Sequence, residues 1–156
     1  MTTVRDYRPE DEAGVLACLA ELQESERGFE GMFKPGDEIA KTHLDYILSQ
    51  CGEEGKLFVA ECDGAVAGVL TAWRQKDAIH FLFTKPTYLY VSELIVLPQY
   101  RGQGVGKALL DRAEIFAKEC GESQVMLHVL EKNDAARAVY EKQGYRPYNR
   151  LLTKEL

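Results

Sequence analysis

Cysteine and histidine are scarce in this chain, and their spacing does not suit a metal site. The cysteines are Cys18, Cys51, Cys62 and Cys120, and the histidines are His43, His80 and His128. No two cysteines form a C-x-x-C pair, and no histidine lies within ligand spacing of a cysteine. The pattern therefore predicts reduced thiols, as in a cytoplasmic protein, and neither a bound metal nor a disulfide framework.

Long apolar runs and a positive net charge are also absent. No run approaches the roughly 20 apolar residues that span a bilayer, and Met1–Asp6 has no apolar signal core. The 19 Lys and Arg residues against 25 Asp and Glu residues give a formal net charge of −6. This balance argues against nonspecific binding to nucleic acid or to membranes. It is consistent with a cationic substrate such as an amine, and equally with acidity that only keeps the protein soluble.

What the chain does contain is typical of a globular domain. Its 156 residues, 46% of them apolar and 28% charged, suit a single domain over residues 1–156. The hydrophobic periodicity alternates between strand and helix, without internal repeats. Strands are predicted around residues 3–8, 57–62, 65–73, 88–97 and 124–130, with helices between them, and Asp63-Gly64 marks a hairpin turn.

Two further segments have weaker patterns. Residues 74–87 are polar around an alternating Ile79, Phe81 and Phe83, which fits either a long loop or an extra β-ribbon. After Gly144, the pattern predicts a final pair of strands over residues 145–147 and 150–154.

The segment Gln99–Lys107, between the fourth strand and the next helix, is rich in glycine. Gly102, Gly104 and Gly106 leave three alternate positions without side chains. Backbone N–H groups can therefore converge on an anion at the positive end of the helix dipole. A phosphate-bearing ligand fits this pattern.

Two common phosphate-binding motifs are excluded by spacing. In a P-loop aligned on Gly106-Lys107, Arg101 stands in place of the first glycine and Ala108 in place of the magnesium-binding hydroxyl. The dinucleotide fingerprint G-x-G-x-x-G also fails, because it would end on Lys107 or Leu109. The remaining pattern, Arg/Gln-x-x-Gly-x-Gly/Ala after a strand, resembles the acyl-CoA pyrophosphate loop of the GCN5-related N-acetyltransferase (GNAT) superfamily.

A second motif supports this resemblance. Residues 133–145 match the superfamily pattern Asn-x-x-Ala-x-x-x-Tyr-x-x-x-Gly-Phe/Tyr at every specified position. The order of predicted elements is also similar over nearly the whole chain. The resemblance implies an α/β protein with the acyl-CoA N-acyltransferase fold. In that fold a central mixed, mostly antiparallel sheet splays between strands 4 and 5 and is flanked by about four helices.

The resemblance also implies how acetyl-CoA, the expected cosubstrate, would bind. Its pantetheine arm would pair with the fourth strand and its pyrophosphate would lie on the glycine loop. The residues expected to bind it are Leu94, Ile95, Val96, Arg101, Gly102, Gln103, Gly104, Val105, Gly106, Lys107, Asn133, Ala136 and Tyr140. The N–H group of Ile95 or Val96, freed by a bulge two residues after Glu93, is expected to meet the negative charge developing on the thioester oxygen.

Two side chains are candidates for catalysis. An alkylamine has an ordinary pKa of about 10.4 and must lose a proton before it attacks, and the leaving thiolate gains from a proton donor. The resemblance implies that Tyr140 is this donor, although it would also suit packing of a helix on the sheet. Glu93 is the candidate base, through a water, or an amine ligand, because a carboxylate in an apolar strand is costly to bury unless it is paired or used. A position at the solvent end of the strand would need no function.

The sequence says less about the residues that would bind the amine acceptor. Trp73 is either a core residue or a wall of the substrate site, and residues 28–33, with Phe29, are either an apolar lid or core anchors. We predict an N-acetyltransferase for a small cationic amine, with a protein lysine or N-terminal acetyltransferase and a non-catalytic acyl-CoA-binding regulatory domain as alternatives. Near the C-terminus, Tyr145, Tyr148, Leu151 and Leu152 would either join two copies in a homodimer or close the domain's own core.

Overall fold

A five-stranded sheet in the order β1-β2-β3-β4-β5 runs through the computed structural model, which describes residues 1–156. The strands are Thr2–Asp6 (β1), Gly55–Cys62 (β2), Ala65–Lys76 (β3), Thr87–Val96 (β4) and Val125–Leu127 (β5). All neighbours are antiparallel except β4 and β5, which are parallel. The predicted mixed, mostly antiparallel sheet is therefore confirmed.

Four helices cover the sheet, as predicted. They are Glu12–Phe29 (α1), Gly36–Cys51 (α2), Val105–Glu119 (α3) and Asp134–Lys142 (α4). Buried side chains of α1 and α2 pack on one face of the sheet, and those of α3 pack on the other. No helix is both long enough and apolar enough to cross a membrane.

Two hairpins connect neighbouring strands, one between β2 and β3 and one between β3 and β4, and the sequence predicted the first more fully than the second. The turn at Asp63-Gly64 has φ angles of 51° and 81°, which explains its Asp-Gly sequence. Residues 74–87 combine both predicted alternatives. β3 and β4 extend as a ribbon to the pair Lys76 and Thr87, and the connecting loop contains a short 3₁₀ turn at His80–Leu82.

The C-terminal strand prediction is wrong. Residues after Lys142 form no strand. Tyr145 packs against the α3 core, but Tyr148, Leu151 and Leu152 are exposed and do not close the core of this chain. The physical reason is the length of β5, the strand at this edge of the sheet. β5 is three residues long, which is too short to support two further strands.

A β-bulge interrupts the pairing of β3 with β4. Thr71 pairs with Glu93 but Ala72 pairs with Val91, so Ser92 is an extra residue in β4. The expected bulge two residues after Glu93 is therefore wrong in position, because the bulge comes one residue before Glu93. Alternation alone does not reveal where a strand gains a residue.

The bulge reverses the facing of β4. Leu89 and Val91 pack with the α3 core, whereas Ile95 packs with the α1 and α2 core. Pairing of β4 with β5 also ends at Val91 and Leu127. The predicted splay between these strands is thus confirmed, and it begins at the bulge.

Candidate active site

The glycine loop presents a row of free backbone donors. Gly102 and Gly104 have φ angles of 74° and 82°, in the left-handed region that glycine tolerates. The first helical hydrogen bond of α3 runs from the Ala108 N–H to the Gly104 carbonyl, at 3.0 Å. No N–H group from residue 102 to residue 107 donates a hydrogen bond within the chain. These amides, at a helix N-terminus, suit an anion such as a pyrophosphate.

Gly106 has no conformational reason to be glycine. Its φ angle is not positive, and a Cβ there would meet only the Val96 side chain, at an ordinary contact distance of 3.6 Å. A helix normally gains stability from alanine in place of glycine. The missing side chain is therefore best explained by the approach of a ligand to the backbone.

The two positive side chains of the loop are engaged elsewhere. Arg101 donates through Nε to the Val96 carbonyl at 2.9 Å and through Nη2 to Glu21 at 2.9 Å. The Lys107 ammonium lies 2.6 Å from Asp111. The backbone amides are therefore the donors that need no rearrangement to bind an anion, and these side chains keep further N–H groups for it.

Beyond the bulge, the edge of β4 that faces β5 is open. The Leu97 N–H donates to the Ala67 carbonyl of β3, at 2.9 Å. Because successive amides point to opposite sides of a strand, the Ile95 N–H also points to β3. The N–H groups of Leu94 and Val96 then point into the gap. Of the two expected donors to the thioester oxygen, only Val96 faces the open side.

Glu93 is buried, with 6% of its surface exposed. Its Oε1 atom accepts a hydrogen bond from Ser92 Oγ at 2.6 Å and lies 3.0 Å from Nε2 of His43 in α2. Its Oε2 atom has no partner, and neither has Oγ1 of Thr71, the residue paired with it across the sheet. The structure thus places Glu93 in the interior and not at a solvent end of its strand.

His43 is a residue of this site that the sequence patterns did not predict. Its only signal was its position in α2, three residues after Ala40 and four before Ile47, on the flank of the buried stripe. Such a position is also typical of an ordinary boundary residue. Only the packing of α2 on β4 brings the imidazole to the carboxylate.

Tyr140 lies in α4 and packs against the core on the α3 side. Burial raises the pKa of Tyr140 to about 12, with a smaller contribution from the negative charge of Glu26 in α1. The phenol makes no hydrogen bond within the chain, and its ring meets the edge of Tyr145 at 5.9 Å. At neutral pH it therefore carries a proton that no protein group accepts.

Glu26 is a second carboxylate of this region that the sequence did not single out. Burial raises its pKa, opposed by His43 and aided by the charge of Glu93. Its side chain has no hydrogen-bond partner and no salt bridge in the chain. Glu26 therefore lies within electrostatic range of both Glu93 in β4 and Tyr140 in α4.

Asn133, one of the residues expected to bind acetyl-CoA, is the N-cap of α4. Its Oδ1 atom accepts a hydrogen bond from the Ala136 N–H at 3.1 Å. The loop before it is tied to the end of α1, where Lys132 lies 3.1 Å from Glu30 and donates to the Phe29 carbonyl at 3.3 Å. The ends of α1 and α4 thus approach each other.

The predicted loop over residues 28–33 is wrong in its start, because Gly28 and Phe29 belong to α1. Trp73 is buried, as the core interpretation requires, and its ring meets the edge of Tyr90 at 5.5 Å. The Tyr90 hydroxyl in turn lies 3.0 Å from Nδ1 of His128. Trp73 thus ends a row of aromatic side chains that begins near the splay.

Comparison with known proteins agrees with this architecture. The Acetyltransferase (GNAT) family matches residues 18–145. An uncharacterized N-acetyltransferase of Archaeoglobus fulgidus is 31% identical over 124 residues, which cover 79% of this chain and 80% of that protein.

Solved structures with low identity share the fold. A tetramutant of the BH1408 protein from Bacillus halodurans has a TM-score of 0.85 at 18% identity, covering 99% of both chains. The structure of AAC(6')-Iy with the bisubstrate analogue CoA-S-monomethyl-acetylneamine has a TM-score of 0.74 at 16% identity, covering 100% of this chain and 98% of that one. With its family match, its relative and its glycine loop, the chain belongs to the GNAT acetyltransferase family.

Proposed function

We propose that this protein transfers the acetyl group of acetyl-CoA to the primary amine of a small cationic molecule, by direct attack of the amine. The observation that carries the proposal is the row of free N–H groups over residues 102–107, next to the open edge of β4. Family membership supports the reaction class. The alternatives are a protein lysine or N-terminal amine as the acceptor, and acyl-CoA binding without turnover.

The residues that would hold acetyl-CoA fit its shape and charge. The amides of residues 102–107 would bind the pyrophosphate, and the open edge from Leu94 to Val96 would pair with the amide-containing pantetheine arm. Asn133 would orient the first turn of α4 beside it. Bound there, acetyl-CoA supplies an activated acyl group on a thiol that can leave.

Glu93 and Tyr140 would handle the two protons of the reaction. The amine nitrogen forms a bond to the acyl carbon as the carbon–sulfur bond breaks. Glu93 accepts the proton that the amine loses, through a water because Oε2 is buried. The Tyr140 hydroxyl donates a proton to the departing thiolate, and the Val96 N–H stabilises the charge on the acyl oxygen.

The charge of the acceptor region favours a cation. The carboxylates of Glu26 and Glu93 lie within electrostatic range of each other, and a carboxylate accepts hydrogen bonds but donates none. Glu26 has no cationic partner in the chain. The aromatic row of Trp73 and Tyr90 adds rings of the kind that attract ammonium groups. The structural neighbour AAC(6')-Iy also supports the proposal of a small amine, because the bisubstrate analogue bound to it joins coenzyme A to acetylneamine.

Release of coenzyme A across a panel of diamines, polyamines, aminoglycosides and lysine peptides tests this function. We expect turnover with a small polycationic amine, and a fall in kcat of about 100-fold for both Glu93→Gln and Tyr140→Phe. Faster turnover of lysine peptides would instead identify a protein acetyltransferase. Tight coenzyme A binding without release from any amine would identify a non-catalytic domain.

A further inference from the structure

His43 is the one side chain from outside β4 that forms a hydrogen bond with Glu93. It projects from α2, fifty positions away in the sequence, and its Nε2 atom lies 3.0 Å from Glu93 Oε1. Ser92 donates to the same oxygen at 2.6 Å. Both contacts therefore meet on Oε1, and Oε2 keeps all of its acceptor capacity.

The hydrogen bond determines which ring nitrogen of His43 carries a proton. An ionised carboxylate oxygen only accepts hydrogen bonds, so with Glu93 in its ionised form the contact assigns the proton to Nε2. The ring is 22% exposed at its side chain, against 7% for Glu93, so it covers the carboxylate on the α2 side. A buried carboxylate with one oxygen held by two donors has little freedom to rotate.

The bulge at Ser92 is what makes this contact possible. Without the extra residue, Glu93 would share the face of Val91, toward α3 and away from α2. With it, Glu93 turns to the face on which α1 and α2 pack, where His43 lies. The same extra residue supplies the second donor, the Ser92 hydroxyl.

We propose that His43, together with Ser92, is a positioning residue that holds Glu93 by Oε1 and leaves Oε2 free to take the proton of the acceptor amine through a water. The inference rests on the proposed acetyltransferase function. His43 itself does not exchange a proton with the substrate. Its role is to restrict Glu93 to the one orientation in which proton transfer occurs.

The test compares His43→Leu with His43→Gln, whose amide N–H can replace the Nε2 donor. We expect kcat to fall about 10- to 100-fold for His43→Leu and to stay within about fivefold of wild type for His43→Gln. The KM for acetyl-CoA should change less than about twofold in both, since no coenzyme A contact is removed. His80→Leu, at an exposed histidine, is the matched control and should leave kcat unchanged.

A double variant separates positioning from a merely structural role. In the Glu93→Gln background, His43→Leu should cause almost no further loss of kcat, because the two side chains act as one unit. Melting temperatures of all variants report whether the fold is kept. If His43→Leu and His43→Gln lose activity equally, or if the double variant loses the product of the single effects, the role is wrong.

Failure of the positioning role of His43 and failure of the proposed function give different experimental results. An active wild-type protein whose kcat is unaffected by His43→Leu overturns the positioning role alone. A wild-type protein that releases no coenzyme A with any amine overturns the acetyltransferase function, and the positioning role with it.

Discussion

At the scale of single residues, the acid role of Tyr140 leads to a pH prediction. Burial raises the pKa of Tyr140 to about 12, so its protonated, donating form persists well above neutral pH. Tyr140→Phe should therefore lower kcat by about 100-fold, by the same factor at every pH from 7 to 10. Steady-state kinetics over that range check it. A loss that disappears toward alkaline pH would contradict a proton-donating role.

Glu26 is the residue that we expect to discriminate between acceptors. Because its carboxylate has no partner in the chain, Glu26→Gln should raise the KM for a dicationic amine about tenfold and change kcat little. Glu24→Gln, at an exposed carboxylate on the same helix, is the matched control. An equal effect of both variants would indicate general attraction by negative charge and not a specific contact.

At the scale of elements, a substitution at the start of α3 should affect the stability of the protein and its affinity for coenzyme A in opposite directions. Gly106→Ala should keep or raise the free energy of unfolding, by up to about 1 kcal/mol, because a Cβ has room there. The same methyl group should weaken coenzyme A binding about tenfold by keeping the pyrophosphate from the amides. Calorimetric titration and urea unfolding measure the two effects.

The control for this prediction is Gly28→Ala, in the last turn of α1. A Cβ at Gly28 would meet nothing within 4 Å, so the helix should gain stability without any change in coenzyme A affinity. If Gly106→Ala binds coenzyme A as tightly as wild type, the glycine loop is not the pyrophosphate site.

At the scale of the whole molecule, an ion-pair network ties the first strand to the rest of the fold. Arg5 of β1 binds both oxygens of the buried Asp11, at 2.7 and 2.8 Å, and also contacts Glu61 of β2 at 2.7 Å. Removing the Asp11 charge leaves Arg5 paired with Glu61 alone and weakens two charge-assisted hydrogen bonds, so Asp11→Asn should lower the free energy of unfolding by about 2 kcal/mol. Urea unfolding at neutral pH measures this loss.

The same pair has a defined pH dependence. The hydrogen bonds of Arg5 hold the pKa of Asp11 below its ordinary value of 3.8, the value of the unfolded chain. The stabilisation is therefore complete above about pH 4 and disappears as the pH falls through the lower pKa of the folded state. The difference in stability between wild type and Asp11→Asn should shrink in acid. A constant difference down to pH 2 would show that the ion pair is not its source.

The sequence alone determined the order of elements as far as Lys142, the family resemblance and the glycine loop. These features follow from local information: Asp63-Gly64 permits positive φ angles, Gly102 and Gly104 form a left-handed loop, and Asn133 caps its own helix. Each depends on residues a few positions apart. Periodicity and turn chemistry therefore suffice to find them.

Tertiary structure decided the position of the bulge, the facing of Glu93, and its contact with His43. A strand of alternating residues has the same pattern with its extra residue at Ser92 or further along, so pairing with β3 had to select one. It also left the residues after Lys142 unpaired, although their pattern suited strands, because β5 offers only a short edge. Contacts between distant segments depend on which elements pack together, and local patterns do not contain that information.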